Sequence, residues 1–221
     1  MSIKYQDMTK PFPIQPLPVW TINLYDAQWH EHDKYQDELK EVCRQLESQN
    51  KHSRVSRDAK QNLYESSFDF VKYENKAVQA WTNWTTAQIF DAAKHANKDL
   101  WPLGSNISVD IHESWCHITR DGGYHDMHIH PNSSWSVIYY LDTGDMNNKT
   151  KNGVNRFFSP FHNMYTDAGT LWSNVHNSID IEAEPGMMVI FPSWIQHSAL
   201  VYHGQRERFV LSLNCQIHHL A

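Results

Sequence analysis

The sequence predicts a mainly β fold with flanking α-helices, a barrel or sandwich of short strands with helices packed on its outside. Three observations carry this expectation. From Trp101 onward, "SNISVDIHESWCHIT", "WSVIYYLD", "GMMVIFPSW" and "RFVLSLNCQI" are rich in β-branched and aromatic residues and are separated by Gly, Asn, Asp and Pro clusters. Before Trp101, two stretches carry helical periodicity instead. The whole chain has 221 residues, 40% of them apolar, with nine Trp and ten Tyr, enough for one large core. The expectation is one domain over 1–221, with an N-terminal arm and helices over 1–100 and a β-barrel core over 101–221.

Taken in order, residues 10–20 hold four prolines among apolar neighbours, which predicts an extended arm or edge strand. Between Asp26 and Asn50, Tyr35, Leu39, Val42 and Leu46 recur at steps of four, three and four among charged residues, the pattern of an amphipathic helix. Residues 51–73 are polar and carry no periodic signal. Asn75 to Asn97 predicts a second helix, with Val78, Trp81, Ile89 and Phe90 on or near one face. After the first two strands of the barrel, residues 143–178 are polar with scattered aromatics, which suggests long loops over the barrel mouth.

Composition excludes several classes. The net charge is −6 and no Lys/Arg cluster stands out, so nucleic acid is not an expected partner. Cys43, Cys116 and Cys215 are isolated thiols without CxxC spacing, which argues against disulfides or a zinc ribbon and fits a reducing, cytoplasmic setting. The first residues lack the apolar core of a signal peptide, and no run is long enough to span a bilayer, so a soluble protein without a membrane partner is expected. A homo-oligomer stays open.

The chemistry-bearing stretch is "GGYHDMHIHPNSSWSVIYYLD", residues 122–142, with three histidines in six positions. Spacing alone is weak, because 15 His in this chain give about one HxH pair by chance. His30 and His32 form such a pair inside the predicted helix. In an extended strand, however, Asp126, His128 and His130 share one face while His125, Met127 and Ile129 share the other. Pro131 and Asn132 then place His128 and His130 at a strand tip. His197 follows the strand "GMMVIFPSW" at a second strand end and is a candidate third ligand, with an ordinary barrel histidine as the alternative. Arg208 lies in an apolar run, where an always-charged guanidinium needs a carboxylate or phosphate partner. His125 reads as facing away, and His112 and His117, flanking Trp115, read as structural. Trp135 and Trp194 read more readily as core than as pocket walls.

"HIHPNSSWSVIYYLD", "GMMVIFPSWIQH" and "RERFVLSLN" together resemble the 2-oxoglutarate/Fe(II) oxygenase family related to the prolyl-hydroxylase type, whose pattern runs HxHPNSxxSGVYYL, GxLxxFPSWxxH and RxSxxxN. The resemblance covers about residues 105–217. It implies a double-stranded β-helix, the jelly-roll or cupin-like barrel, with His128, His130 and His197 as metal ligands. It further implies that Arg208 meets the distal carboxylate of 2-oxoglutarate, with Tyr140 and Ser212 as hydroxyl partners. Strand parity agrees, because Ser136, Ile138 and Tyr140 share a face of one strand and Arg208, Val210, Ser212 and Asn214 a face of another.

Val137 and Val210 depart from the family's Gly and Ser, leaving Ser212 as the hydroxyl on the arginine's strand. The usual ligand set of such oxygenases is two His and one carboxylate. Here either three histidines hold the metal, as the family pattern favours, or Asp126 replaces one of them.

By this resemblance the expected activity is that of an Fe(II)- and 2-oxoglutarate-dependent dioxygenase consuming dioxygen, releasing succinate and CO2 and hydroxylating an amino-acid, peptidyl or small-metabolite substrate. No catalytic group beyond the metal site is implied. The alternatives are a three-histidine cupin-like dioxygenase without 2-oxoglutarate and a non-catalytic metal- or ligand-binding barrel. Zinc would also suit three histidines.

Overall fold

The structure, a computed structural model, describes residues 23–51, 62–102, 105–160 and 178–220. The proline-rich arm expected at 10–20 and residues 161–177 of the expected loops lie outside them. The described elements are β1 (Tyr25–Gln28), α1 (His32–Ser48), β2 (Leu63–Glu65), a 3-10 turn (Phe70–Lys72), α2 (Lys76–Ala96), β3 (Asn106–Thr119), β4 (His125–His128), β5 (Trp135–Asp142), β6 (Asn155–Phe158), β7 (Ser178–Asp180), β8 (Met187–Pro192), β9 (His197–Ala199) and β10 (Arg208–Leu220). They form a six-stranded sheet in the order β1-β8-β5-β10-β3-β2 and a four-stranded sheet in the order β4-β9-β6-β7. All the strand pairings are antiparallel.

Alternation along the central strands divides the core into two layers. Val137, Tyr139 and Leu141 of β5, with Leu211 and Leu213 of β10, pack against Leu39 and Val42 of α1 and Val78, Trp81 and Ile89 of α2. Their neighbours Ile138 and Tyr140 of β5 and Val210 of β10 turn the other way. There they join Val189 and Phe191 of β8 and Phe157 of β6, so the two sheets face each other across a second apolar layer. Removing each such side chain from water contributes about 1.5–3 kcal/mol, which is why the strands read as apolar runs rather than as strict alternation.

The second helix keeps its expected span. Asn75 caps it, its Oδ1 accepting from the backbone N–H of Ala77 at 2.7 Å and of Val78 at 3.2 Å. The first helix begins later than expected. Tyr25–Gln28 is extended because it pairs with Ile190–Met187 of β8, and this ladder overrides the local helical pattern. Gly186, at φ +83, makes that corner, and a Cβ there would meet Gln28 Nε2 at 2.6 Å and His32 at 2.9 Å.

Two strands of the large sheet, β1 and β2, thus come from the first 100 residues. The expected loops after residue 143 also contain sheet: β6 pairs with β9 and β7, and Arg156 holds Asp180 through bonds of 2.7 and 3.0 Å. The three cysteines are free and buried. No helix among the described residues is long and apolar enough to cross a membrane.

Candidate metal centre

β4 and β9 pair so that His128 stands directly opposite His197, with ring centroids 4.3 Å apart. Just beyond β4, the His130 backbone N–H donates to Ser193 O at 2.9 Å and so fixes this segment to the corner between β8 and β9. The His130 ring lies 4.9 Å from that of His128 and 5.0 Å from that of His197. One nitrogen from each of the three histidines falls within 4.8 Å of the others.

The protonation states suit ligation. Burial, then the neighbouring imidazoles of His197 and His125, pushes His128 down to about 2. Burial and His197 push His130 down to about 3, and burial pushes His197 down to about 4. All three are neutral near pH 7, so no proton competes with a metal. A backbone carbonyl only accepts, so His128 Nδ1 at 2.7 Å from Asp126 O and His197 Nδ1 at 3.0 Å from Ile195 O must each carry the proton. Nε2 is left as the lone-pair nitrogen on both rings.

Arg208 opens β10 on the inner face, only 3% exposed. Its Nη2 donates to Asn155 Oδ1 at 2.6 Å, and its guanidinium carbon lies 5.7 Å from the Tyr140 ring centre. Burial lowers its pKa, yet an arginine remains charged at neutral pH. Among the described residues it has no ion pair. Three buried polar atoms here lack a hydrogen-bond partner among the described residues: Arg208 Nε, Tyr140 Oη and Thr119 Oγ1. Val210, two residues along β10 on Arg208's face, is opposite Tyr140, and Thr119 of β3 is opposite Arg208 itself, so one inner face carries all three. Burial raises the Tyr140 pKa and keeps its hydroxyl a neutral donor. The oxygens of a small dicarboxylate would satisfy these groups.

The remaining candidates divide. Ser212 lines the same cavity, but it stands four residues from Arg208, about 13 Å along the strand. It faces Trp115 of β3, whose ring is 5.5 Å from His130, so Ser212 belongs to the histidine end. Asp126 is exposed and contributes its carbonyl.

His125 does not face away. The β4–β9 register shifts between His125 and His128, and this irregularity breaks strict alternation, bringing the two rings to 4.2 Å. His117 faces the cavity as well, its Nε2–H donating to Glu65 Oε2 at 2.8 Å. Trp135 is core, but Trp194 is 52% exposed. Glu65, Thr119 and Asn155 were not singled out from sequence. Register opposite Arg208 and His117 is the only signal that marks Thr119 and Glu65, and it exists only once the strands are paired.

The fold and the site together define a double-stranded β-helix with a cluster of three histidines able to hold a metal ion and a buried arginine in one cavity. Residues 113–214, somewhat under half of the chain, match the model of the family described as "Putative 2OG-Fe(II) oxygenase", and the fold is that of solved prolyl hydroxylases. Fe(II) and 2-oxoglutarate are the cofactors of that family.

Solved structures of the same fold include a Pseudomonas putida prolyl-4-hydroxylase, 17% identical with TM-score 0.56, covering 89% of this chain and 94% of that one. A Trichoplax adhaerens prolyl hydroxylase in complex with a hypoxia inducible factor peptide fragment is 12% identical with TM-score 0.56, covering 89% and 84%. The epimerase SnoN in complex with Fe3+, alpha ketoglutarate and nogalamycin RO is 9% identical with TM-score 0.61, covering 90% and 82%. No curated protein matches the chain.

Proposed function

We propose that this chain hydroxylates an amino-acid, peptidyl or small-metabolite substrate, with Fe(II) held by His128, His130 and His197 and 2-oxoglutarate anchored by Arg208. The observation that carries this reading is the buried Arg208, which has no carboxylate partner among the described residues and lines the same cavity as the three neutral histidines. When bound, iron and 2-oxoglutarate supply the oxidising power, as 2-oxoglutarate and O2 become succinate and CO2 while one oxygen atom enters a substrate C–H bond.

The chain's own residues then have defined tasks. Asp126 O and Ile195 O hold the Nδ1 protons of His128 and His197 and present Nε2 inward. Arg208, Tyr140 and Thr119 bind the distal carboxylate in a site closed to water, and Ser212 offers its hydroxyl at the histidine end. Asn155 fixes the guanidinium from the small sheet. Met127, Ile129 and Trp194, respectively 54%, 44% and 52% exposed, flank the histidines in sequence and give the rim an apolar surface for the substrate. The known peptide complex of the Trichoplax prolyl hydroxylase supports a peptidyl substrate as one member of the proposed class. SnoN is an epimerase on the same fold, so the product must be measured.

The test is anaerobic titration of the Fe(II)-loaded protein with 2-oxoglutarate, following the metal-to-ligand absorption band. The parent develops the band. Arg208→Ala binds 2-oxoglutarate about 30-fold or more weakly, since truncating one partner of a buried charge pair costs about 2–5 kcal/mol. A band of unchanged affinity in that variant would reject the anchor. Absence of succinate formation with any supplied substrate class would favour the cupin-like alternative.

A further inference from the structure

Next to the three-histidine cluster stands a second group of metal-ligand type that the oxygenase reading does not use: Glu65 of β2, His117 of β3 and His125 of β4. We propose that these three residues form a second site for a divalent first-row metal ion, separate from the one held by His128, His130 and His197.

The placement follows from pairing. Glu65 lies opposite His117 in the β2–β3 ladder, which sets the two side chains on one face, and the irregularity in β4 turns His125 toward them. Glu65 Oε2 is 2.8 Å from His117 Nε2 and 3.7 Å from His125 Nε2. A hydrogen bond accounts for the first distance but not for the second. Donor atoms about 2.0–2.2 Å from a common ion stand about 3–3.5 Å apart, so both separations need only small adjustments to close around one. Two imidazoles and a carboxylate are a donor set suited to zinc, cobalt or iron in the divalent state.

His125 Nδ1 lies 3.3 Å from Asp126 O, the carbonyl that accepts from His128 Nδ1 at 2.7 Å. The His128 Nδ1–H is shared between that carbonyl and His125 Nδ1, 3.1 Å away, so His125 Nδ1 accepts and its proton sits on Nε2, where an ion would displace it. For His125 that atom faces Glu65; for His128 it is the one available to His130 and His197. His117 Nε2–H donates to Glu65 Oε2 at 2.8 Å and Glu65 is only 5% exposed, so an ion here would take that proton's place among buried donors whose atoms already lie within 4.8 Å of one another.

Co(II) alone, without 2-oxoglutarate, tests the proposal. The metal-stripped full chain is titrated by equilibrium dialysis, the bound metal counted by elemental analysis and the ligand-field spectrum recorded. The parent takes up two Co(II) per chain, the double variant His130→Ala/His197→Ala one, and Glu65→Gln and His117→Gln one each. A double variant that binds no Co(II), or an uptake unchanged from that of the parent in both Glu65→Gln and His117→Gln, overturns the second site.

Circular dichroism and melting curves report the fold of every variant; where Glu65→Gln does not fold, His117→Gln and the parent stoichiometry decide. The count does not involve Arg208 or 2-oxoglutarate, so it stands apart from the fate of the oxygenase reading.

Discussion

Tyr140 is fully buried, and its hydroxyl has no hydrogen-bond partner among the described residues. Such a group costs about 1–3 kcal/mol when left unsatisfied, so the residue is better suited to the liganded protein than to the empty one. Tyr140→Phe should leave urea stability unchanged or slightly raised, while 2-oxoglutarate affinity, read from the absorption band, falls about 10- to 100-fold, the worth of a hydrogen bond to a charged group. Equal losses in stability and affinity would instead mark Tyr140 as a packing residue.

At this scale the sequence is legible where one strand is regular. The shared face of Arg208, Val210 and Ser212 follows from a period of two, and the Arg208 guanidinium carbon lies 5.7 Å from the Tyr140 ring centre. The same rule failed for His125, because a register shift cannot be read from alternation. It also gave no hint of Thr119 or Glu65, whose importance comes from which strand lies beside them.

Elements show a parallel division between local and distant causes. The helix Lys76–Ala96 was legible because its cap, periodicity and buried face all act within a few residues. Asn75→Ala removes the acceptor for two N–H groups and should lower stability by about 1 kcal/mol, seen as a fall in the urea midpoint with an unchanged slope. Its Nδ2 also donates to Glu38 Oε1 at 2.9 Å, so an effect somewhat above that of a simple cap is expected.

The strands β1, β6 and β7 were not legible, since three or four residues carry too little pattern and their partners lie far away in sequence. In β7 the hydrogen bonds from Arg156, then those from Lys151, hold the Asp180 carboxyl down at about 2 against an ordinary 3.8. A folded-state value below the unfolded one means that the unfolded chain takes up the proton first. The stabilisation is therefore present above pH 3.8 and is lost as pH falls from there toward 2. Asp180→Asn should abolish that part of the acid dependence, measured as urea midpoints between pH 5 and pH 2, and leave the dependence of the parent steeper in that window.

For the whole molecule, the proposed ligands come from both sheets. His128 and His197 belong to the four-stranded sheet, whose strands have only three or four residues, whereas Arg208, Tyr140 and Thr119 belong to the large sheet backed by both helices. A bound metal and 2-oxoglutarate would bridge the weaker sheet to the stronger one, adding stability where the protein has least of its own. Ligand at about 100 times its dissociation constant contributes about 2.7 kcal/mol. In a chain of this size each kcal/mol raises Tm by about 2–4 °C, so a rise of about 5–10 °C is expected when 2-oxoglutarate is added anaerobically to the Fe(II) protein.

Arg208→Ala should keep the shift due to metal and lose the one due to 2-oxoglutarate. Amide exchange locates the effect: Fe(II) alone should slow exchange in β4 and β9, and 2-oxoglutarate should extend the protection to β6, which Asn155 ties to Arg208. Protection confined to the large sheet would mean that the dicarboxylate binds without joining the two sheets.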